Sequence, residues 1–266
     1  VPDEDATLST IDVVAASEAQ EDVVSGAAKR DQSLGNVASA VTVISGDRVR
    51  RFGYRTVSEA LRGVAGLYVV DDRMSQRLGI RGLQILGDFN NRILVLIDGA
   101  TVNEPWGQFV GIGRDLPVTL DDVVRIEVVR GPVSSVYGTN AFFGIINIVT
   151  KGADRAPRVY GRVSGGTIQT FAGAAGFAAG GVNRQLRGSV GYSKRLGEQL
   201  DIGDFTTDAD GEESLMASLV GAYDGAFAQV RAYRKTRQLG GAPYDVATDD
   251  PRNHNIDQHL LAEGGY

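Results

Sequence analysis

The stretch RIEVVRGPVSSVYGTNAFFGIINIVTK, residues 125–151, decides how the rest of the chain is interpreted. Two runs rich in Val and Ile, residues 124–129 and 144–150, predict two β-strands that are buried on both faces. The segment between them is rich in Gly, Ser and Asn, which is typical of a loop. Lys151 marks a change in composition, because 16 of the 35 glycines precede it and 19 follow it in a shorter stretch.

The overall composition excludes several classes of protein. The 266 residues include no Cys, which rules out disulfide scaffolds, cysteine nucleophiles and thiolate metal sites. The net charge of −6 argues against broad nucleic-acid binding, which usually needs a basic surface. The longest aliphatic run, residues 93–97, is far shorter than the roughly 20 residues of a membrane-spanning helix. Any membrane crossing is therefore expected through β-strands.

Before Lys151 the sequence predicts a leader and a compact α+β domain. Residues 1–36 are acidic, rich in Ala and Ser and weakly periodic, so we expect a mobile leader. Residues 37–151 combine short strands with two helices, for which Ser45 and Thr56 are the expected N-caps. The predicted strands are residues 41–44, 67–70, 78–81, 93–97, 124–129 and 144–150. This pattern indicates a small mixed sheet with short helices.

After Lys151 apolar and polar residues alternate with a period of two, as in residues 186–193 and 215–233, which contain the turn signal Asp224-Gly225. Such strands match those of outer-membrane β-barrels, although an antiparallel sandwich has the same period. Residues 152–266 are expected to hold about five strands, whereas a closed transmembrane barrel needs about eight or more. The membrane interpretation therefore predicts an N-terminal fragment that holds the first strands of a truncated barrel.

Several motifs of the first half follow one another in a recognisable order. They are residues 29–34, 40–44, 80–82, 91–99 with 102–103, and 125–151. Over residues 21–151 this set closely resembles the plug domain of TonB-dependent outer-membrane receptors. The resemblance implies an α+β plug domain followed by antiparallel β-hairpins of an incomplete transmembrane β-barrel.

The same resemblance implies a function in the outer membrane of a Gram-negative bacterium. The receptor would bind a scarce nutrient, such as a ferric siderophore, haem or cobalamin, and import it with energy delivered by TonB. The implied partners are TonB, an extracellular small molecule or metal chelate, and outer-membrane lipid. The receptor is expected to be a monomer that binds no nucleic acid and needs no cofactor.

Two motif arginines are candidates for a latch between plug and barrel. The family joins these parts through arginines in such motifs and glutamates of the barrel, and the resemblance assigns this role to Arg81 and Arg130. Buried arginines need carboxylate partners, since an unpaired buried charge is costly. The barrel acids are expected past Tyr266 or among residues that the sequence does not identify. The alternative is that both arginines are solvated.

The energy-coupling segment is expected just ahead of the plug, where the family carries its TonB box. A TonB box is a short extended peptide that adds a strand to a sheet of its partner. The candidate residues are Asp22, Val23, Val24, Ser25, Gly26 and Ala27. Residues 10–15 are a second candidate, and a plain linker is the other alternative.

Ligand contacts are expected, by analogy with the family, from two plug loops at residues 71–77 and 103–110. The candidate residues are Asp72, Arg73, Ser75, Gln76, Trp106, Gln108 and Phe109. Trp106 is the only Trp of the chain, and an exposed aromatic ring beside amide groups suits stacking on a planar or sugar-like ligand. The alternative is that Trp106 packs against the barrel wall.

No constellation of residues predicts an enzyme. The pair Gly111 and Gly113 lacks the third glycine of a dinucleotide-binding loop. His254 and His259 do not have the spacing of a known metal motif, so neither a catalytic nor a metal site is predicted. The competing hypothesis is a soluble periplasmic binding or signalling module with a plug-like domain and no barrel. A gene that continues past Tyr266 with further alternating strands would favour the receptor.

Overall fold

The computed structural model describes residues 23–24, 32–33, 40–84, 87–167, 169–181, 183–202, 205–207, 210–239, 250 and 252–266. Most of the predicted leader, residues 1–36, lies outside these ranges. Within them, no helix has the length and apolar character needed to cross a membrane.

The first half of the chain, which we call the mixed-sheet region (residues 40–151), is built around five strands. The strands up to Lys151 are β1 (Val23–Val24), β2 (Gln32–Ser33), β3 (Ala40–Ser45), β4 (Leu67–Asp71), β5 (Gln76–Ile80), β6 (Ile93–Ile97), β7 (Ala100–Thr101), β8 (Val123–Arg130) and β9 (Gly144–Thr150). β1 pairs with β2, and β4 pairs with β5. The other five form one sheet in the order β3-β8-β9-β6-β7, in which β6 and β9 run parallel and the other neighbours antiparallel.

The centre of this sheet is buried on both faces, as the aliphatic runs predict. All five residues of β6 are buried. Ile93, Val95 and Ile97 pack into one hydrophobic cluster, while Leu94 and Leu96 pack into a second. Because successive side chains of a strand point to opposite faces, the two clusters lie on opposite sides of the sheet.

Among the described residues, two of the three α-helices begin at the predicted caps. The helices are α1 (Gly46–Arg51), α2 (Val57–Leu61) and α3 (Ser134–Tyr137). The Ser45 hydroxyl accepts a hydrogen bond from the N–H of Arg48 (3.3 Å), and the Thr56 hydroxyl accepts one from the N–H of Glu59 (3.2 Å). These bonds satisfy amides that have no partner within the helix, so the short helices start at defined residues.

The strand β5 begins two residues and ends one residue earlier than predicted, whereas the other predicted strands of the mixed-sheet region agree to within one residue at each end. Residues 78–81 were expected to be extended, but β5 covers Gln76–Ile80. Arg81 has a φ of 54° and its N–H donates to the carbonyl oxygen of Gly66 (2.8 Å). The left-handed backbone ends the strand and turns the Arg81 side chain out of the sheet.

The second half of the chain forms a six-stranded antiparallel sheet. Its strands, with a small hairpin between the third and the fourth, are β10 (Val159–Gly166), β11 (Thr170–Gly180), β12 (Arg184–Arg195), β13 (Leu200–Ile202), β14 (Phe205–Thr207), β15 (Glu212–Tyr223), β16 (Ala226–Gln238) and β17 (His254–Gly265). β13 pairs with β14, and the others follow the order β10-β11-β12-β15-β16-β17. The described part of the tail thus holds more strands than the five expected, because β12 begins four residues after the end of β11 and β16 begins three residues after the end of β15.

The two ends of the sheet differ in the length of their connections, and its two faces differ in polarity. The connections from β11 to β12 and from β15 to β16 are short and lie at one end, here called the short-turn end. The connections from β12 to β15 and from β16 to β17 are long and lie at the other, the long-loop end, together with the short connection from β10 to β11. Polar side chains such as Ser214 are buried against the mixed-sheet region, while Leu260 remains 71% exposed on the outer face. An apolar outer face and a polar inner face are typical of outer-membrane strands. The fold class predicted from the sequence is confirmed.

Candidate functional site

The two sheets of the chain meet through charged side chains, and Asp98 makes the first of these contacts. Its carboxylate accepts hydrogen bonds from the N–H of Thr150 (2.7 Å) and from the hydroxyl of Thr150 (2.5 Å), which hold it within the mixed-sheet region. The same carboxylate accepts bonds from Arg231 (2.6 Å) and Arg187 (3.0 Å) of the six-stranded sheet. One aspartate therefore connects β9 to β12 and β16.

Arg231 is the most deeply buried base of this contact, with 2% of its surface exposed. Its Nε donates to the side-chain oxygen of Gln229 (2.8 Å), and the Gln229 amide donates to Glu263 (2.7 Å). A buried guanidinium is stable only where it is both hydrogen-bonded and paired with an opposite charge. Asp98 supplies that charge from the other sheet.

A second ionic contact lies nearer to the long-loop end. The ammonium of Lys235 donates to Asp115 (2.9 Å) and lies 3.8 Å from Glu212. Burial alone would raise the pKa of Asp115, but the charge of Lys235 and the N–H of Gly113 outweigh burial and lower this pKa below its usual value. The pair therefore carries two full charges at neutral pH.

Asp210 is the centre of a third ionic contact and is 1% exposed. It lies 2.7 Å from Arg73 of the loop between β4 and β5 and 3.7 Å from Arg237 of β16. Arg237 also lies 3.5 Å from Asp71. Burial opposes the charge of Asp71, but the Gln76 amide and Arg237 favour it, and the net effect lowers the pKa of Asp71.

In several of these contacts the base lies on a strand of the six-stranded sheet and the acid in the mixed-sheet region. The expected latch has its arginines in the plug and its acids in the barrel. The six-stranded sheet supplies Arg231, Lys235 and Arg237, and the mixed-sheet region supplies the aspartates that they meet. The sequence carried a signal for this arrangement, because these three bases share one face of β16 with a period of two. The prediction made no use of this signal, because the expected latch has acids, and not bases, on the strands.

The two predicted latch arginines lie side by side in the mixed-sheet region. The guanidinium of Arg81 donates to the carbonyl oxygen of Arg130 (3.0 Å). Arg130 donates to the carbonyl oxygen of Ala65 (2.6 Å) and to the hydroxyl of Thr42 (3.0 Å). Within the described ranges neither arginine forms an ion pair, so the latch to barrel acids stays a prediction.

The first predicted ligand loop is held by its own side chains. The Asp72 carboxylate accepts hydrogen bonds from the N–H groups of Met74 (3.0 Å) and Ser75 (2.7 Å). The side-chain oxygen of Gln76 accepts one from the Ser58 hydroxyl (2.6 Å). Arg73 is bound to Asp210, as described above, so this loop is fixed both to itself and to the six-stranded sheet.

The second predicted ligand loop is organised by Glu104, which sequence reasoning did not single out. Its carboxylate accepts hydrogen bonds from the N–H groups of Trp106 (2.7 Å), Gly107 and Phe109 (3.2 Å). Burial would raise the pKa of Glu104, but these backbone bonds lower it below its usual value. Gln108 has a φ of 63°, and its side chain donates to the carbonyl oxygen of Pro105 (3.1 Å). Trp106 is 90% exposed.

A cavity of about 490 Å³ lies where the two loops meet the six-stranded sheet. Ser75, Gln76 and Phe109 line it from the loops, and Tyr233 and His259 line it from β16 and β17. The other four predicted ligand residues do not belong to its described lining; they are Asp72, Arg73, Trp106 and Gln108. The structure thus brings together three of the seven predicted residues and adds two aromatic rings from the strands.

The predicted TonB box is only partly described. Val23 and Val24 form β1 and pair with β2, whereas Asp22, Ser25, Gly26 and Ala27 lie outside the described residues, as do residues 10–15. His254 and His259 both lie on β17. No group of His, Asp or Glu within the described part of the chain is arranged to hold a metal ion.

Comparison with known proteins identifies the first half of the chain. A family model described as "TonB-dependent Receptor Plug Domain" matches residues 33–145. The iron-regulated outer membrane virulence protein of Vibrio cholerae serotype O1 is 33% identical over 140 residues, which are 51% of this chain and 21% of that protein. The vitamin B12 transporter BtuB of Vibrio vulnificus is 30% identical over 252 residues, which are 89% of this chain and 40% of that protein. The chain thus spans less than half the length of these curated relatives.

Solved structures support the same assignment at the level of the fold. The ferric preacinetobactin receptor BauA of Acinetobacter baumannii superimposes with a TM-score of 0.60 at 16% identity, over 81% of this chain and 30% of that one. These relatives are receptors and transporters of the outer membrane, which confirms the predicted location and the expectation that the chain is not an enzyme. Residues 33–145 are therefore a TonB-dependent receptor plug domain, and the antiparallel strands that follow continue the fold of the outer-membrane receptors to which the chain is similar.

Proposed function

We propose that this chain contributes the plug and the first barrel strands of a receptor that imports a scarce nutrient with energy from TonB. The cargo would be a ferric siderophore, haem, cobalamin or a similar molecule. We assign residues 1–36 to the leader, 37–151 to the plug and 152–266 to the barrel strands. The observation that carries the proposal is the cavity of about 490 Å³, because plug loops and barrel strands line it together.

The position of this cavity agrees with uptake from outside the cell. Outer-membrane barrels have short periplasmic turns and longer extracellular loops, so the long-loop end faces outward. Leu239, which follows β16 at that end, lines the cavity, and so do the plug residues Ser75 and Phe109. Cargo bound there would touch the plug and the barrel wall at the same time, so its binding energy could change how they pack.

The alternative of a soluble periplasmic module is disfavoured by the outer face of the six-stranded sheet. Val159, Val163 and Leu260 are 77%, 74% and 71% exposed on it. A soluble protein rarely leaves such a continuous apolar face uncovered. Lipid covers such a face in the membrane.

Energy coupling is assigned to Asp22, Val23, Val24, Ser25, Gly26 and Ala27. β1 already has the extended conformation that strand addition to a partner requires. In the full-length receptor, deletion of residues 22–27 should abolish energised uptake and leave cargo binding to whole cells unchanged. Deletion of residues 10–15, the second candidate, is the matched control and should leave uptake intact. Normal uptake without residues 22–27 would refute the assignment.

A further inference from the structure

The polar lining of the outward cavity is acidic. Glu104 and Asp115 of the plug and Asp257 of β17 contribute carboxylates, while the described lining includes neither Lys nor Arg. Asp257 accepts a hydrogen bond from the Asn255 amide (2.9 Å), a neutral donor that leaves the carboxylate charge uncompensated by that contact. Since the Lys235 ammonium compensates Asp115, the negative charge that faces cargo at this wall comes from Glu104 and Asp257.

The basic side chains next to the cavity are already bound to other acids. Lys235 is 3% exposed and is paired with Asp115. Arg77 lies 2.5 Å from Asp72, and Arg73 lies 2.7 Å from Asp210. None of these bases can turn to an anionic cargo without breaking an ion pair, which in a partly buried place is costly.

Two pairs of aromatic rings form part of the remaining walls, beside aliphatic side chains such as Val102 and Leu116. The rings of Tyr233 and His259 are stacked, with centroids 5.8 Å apart and an angle of 17° between their planes. On the plug side, Phe89 and Phe109 form an edge-to-face pair with centroids 5.2 Å apart. Aromatic faces carry partial negative charge and attract cations, so they act in the same direction as the carboxylates.

We propose that the cavity selects cargo that carries a positively charged group and rejects polyanionic chelates. This inference rests on the proposed function, because it names the class of cargo that the same cavity takes. Carboxylates and aromatic faces attract an ammonium or guanidinium group of the cargo, and the described residues that line the cavity include no Lys or Arg to neutralise an anion. Selection by charge then follows from the cost of placing like charges side by side where water is partly excluded.

The test compares two ferric chelates of opposite charge on the purified full-length receptor. One is a tris-hydroxamate chelate with a pendant ammonium group, and the other is an anionic tris-catecholate chelate. Isothermal titration calorimetry measures the dissociation constant of each. We expect tighter binding of the ammonium-bearing chelate, and this preference should shrink as salt is added. Tighter binding of the tris-catecholate would overturn the charge inference and leave the proposed function standing.

A substitution tests whether the preference for positively charged cargo arises in the cavity. Asp257→Asn should weaken binding of the ammonium-bearing chelate about fivefold and strengthen binding of the tris-catecholate, because it removes one carboxylate without changing the shape of the wall. Asp224→Asn, on the turn at the opposite end of the sheet, removes the same charge and is the matched control. Equal effects of the two substitutions would contradict the proposal. Uptake of every tested cargo in cells without TonB would instead overturn the proposed function.

Discussion

The Asp98 carboxylate and the Arg231 guanidinium, 133 residues apart in the chain, meet at 2.6 Å across the boundary between plug and barrel strands. Asp98 is fixed by Thr150 at the end of β9, and Arg231 is buried in the middle of β16. The contact therefore joins the central sheet of the plug to the six-stranded sheet.

Removal of the Asp98 charge should destabilise the plug strongly. Asp98→Asn leaves the buried Arg231 uncompensated, for which about 3 kcal/mol of lost stability is expected. Asp121→Asn is the matched control, because its partner Arg162 is 42% exposed and such pairs contribute less than about 1 kcal/mol. Guanidinium unfolding of the full-length receptor measures both. Arg231→Gln added to Asp98→Asn should restore part of the stability, and equal losses for Asp98→Asn and Asp121→Asn would contradict this view.

Acid should weaken the contact between Asp115 and Lys235. The pKa of Asp115 is lowered in the folded protein from its usual value of 3.8, so its contribution to stability is complete above that value and is lost as the pH falls below it. In Lys235→Met the ammonium charge that lowers the pKa of Asp115 is missing, while burial still raises this pKa. Acid unfolding of the plug should therefore begin at a higher pH. Asp154→Asn removes an exposed carboxylate and should not move the acid transition. An unchanged transition in Lys235→Met would refute the pairing as its cause.

The loop that presents Trp106 should depend on the charge of Glu104. Glu104→Gln replaces the ionised acceptor of three hydrogen bonds from backbone N–H groups with a neutral one. Each bond should weaken by about 1 kcal/mol. Trp106 is the only Trp of these 266 residues, so with every Trp outside them replaced by Phe the fluorescence anisotropy reports this loop, and it should fall in the variant. The wild-type loop should loosen in the same way as the pH falls below about 4.5, the usual pKa from which that of Glu104 is lowered. Glu263→Gln, on β17, should leave the anisotropy unchanged.

The latch hypothesis separates two roles of Arg130. Its bonds to Ala65 and Thr42 lie inside the plug, so Arg130→Ala should cost about 1 to 3 kcal/mol of plug stability even without a barrel partner. Thr42→Val removes one of these bonds and keeps the guanidinium. If Arg130 is also a latch, Arg130→Ala and Arg81→Ala reduce nutrient uptake by the full-length receptor and Thr42→Val does not. Equal uptake in all three variants would refute the latch.

Much of the fold could be predicted from local patterns. The helix caps at Ser45 and Thr56 and the strands at β6 and β9 were predicted correctly, because capping and aliphatic runs act over a few residues. The end of β5 was not, since the left-handed backbone of Arg81 is stabilised by Gly66, a residue distant in the chain. Glu104 was missed for a similar reason, because its role depends on the backbone path of the following loop.

The candidate site was predictable only in part. Period-two alternation placed Arg231, Lys235 and Arg237 on the polar face of one strand, but it did not show which plug residues they would meet. Those partners are Asp98, Asp115 and Asp71, of which the first two lie in separate connections and the third ends β4. Local sequence carries no information on which of these residues faces which strand.

By itself, the sequence determined the family, the class of fold and the alternation that turns apolar side chains outward and polar ones inward. These properties depend on short motifs and on periodicity, which are written in neighbouring residues. Only the tertiary structure decided which charges pair between plug and strands, and that the outward cavity has an acidic and aromatic wall. Charge pairing and cavity lining are set by distances between residues far apart in the chain, because electrostatic and packing energies depend on separation in space.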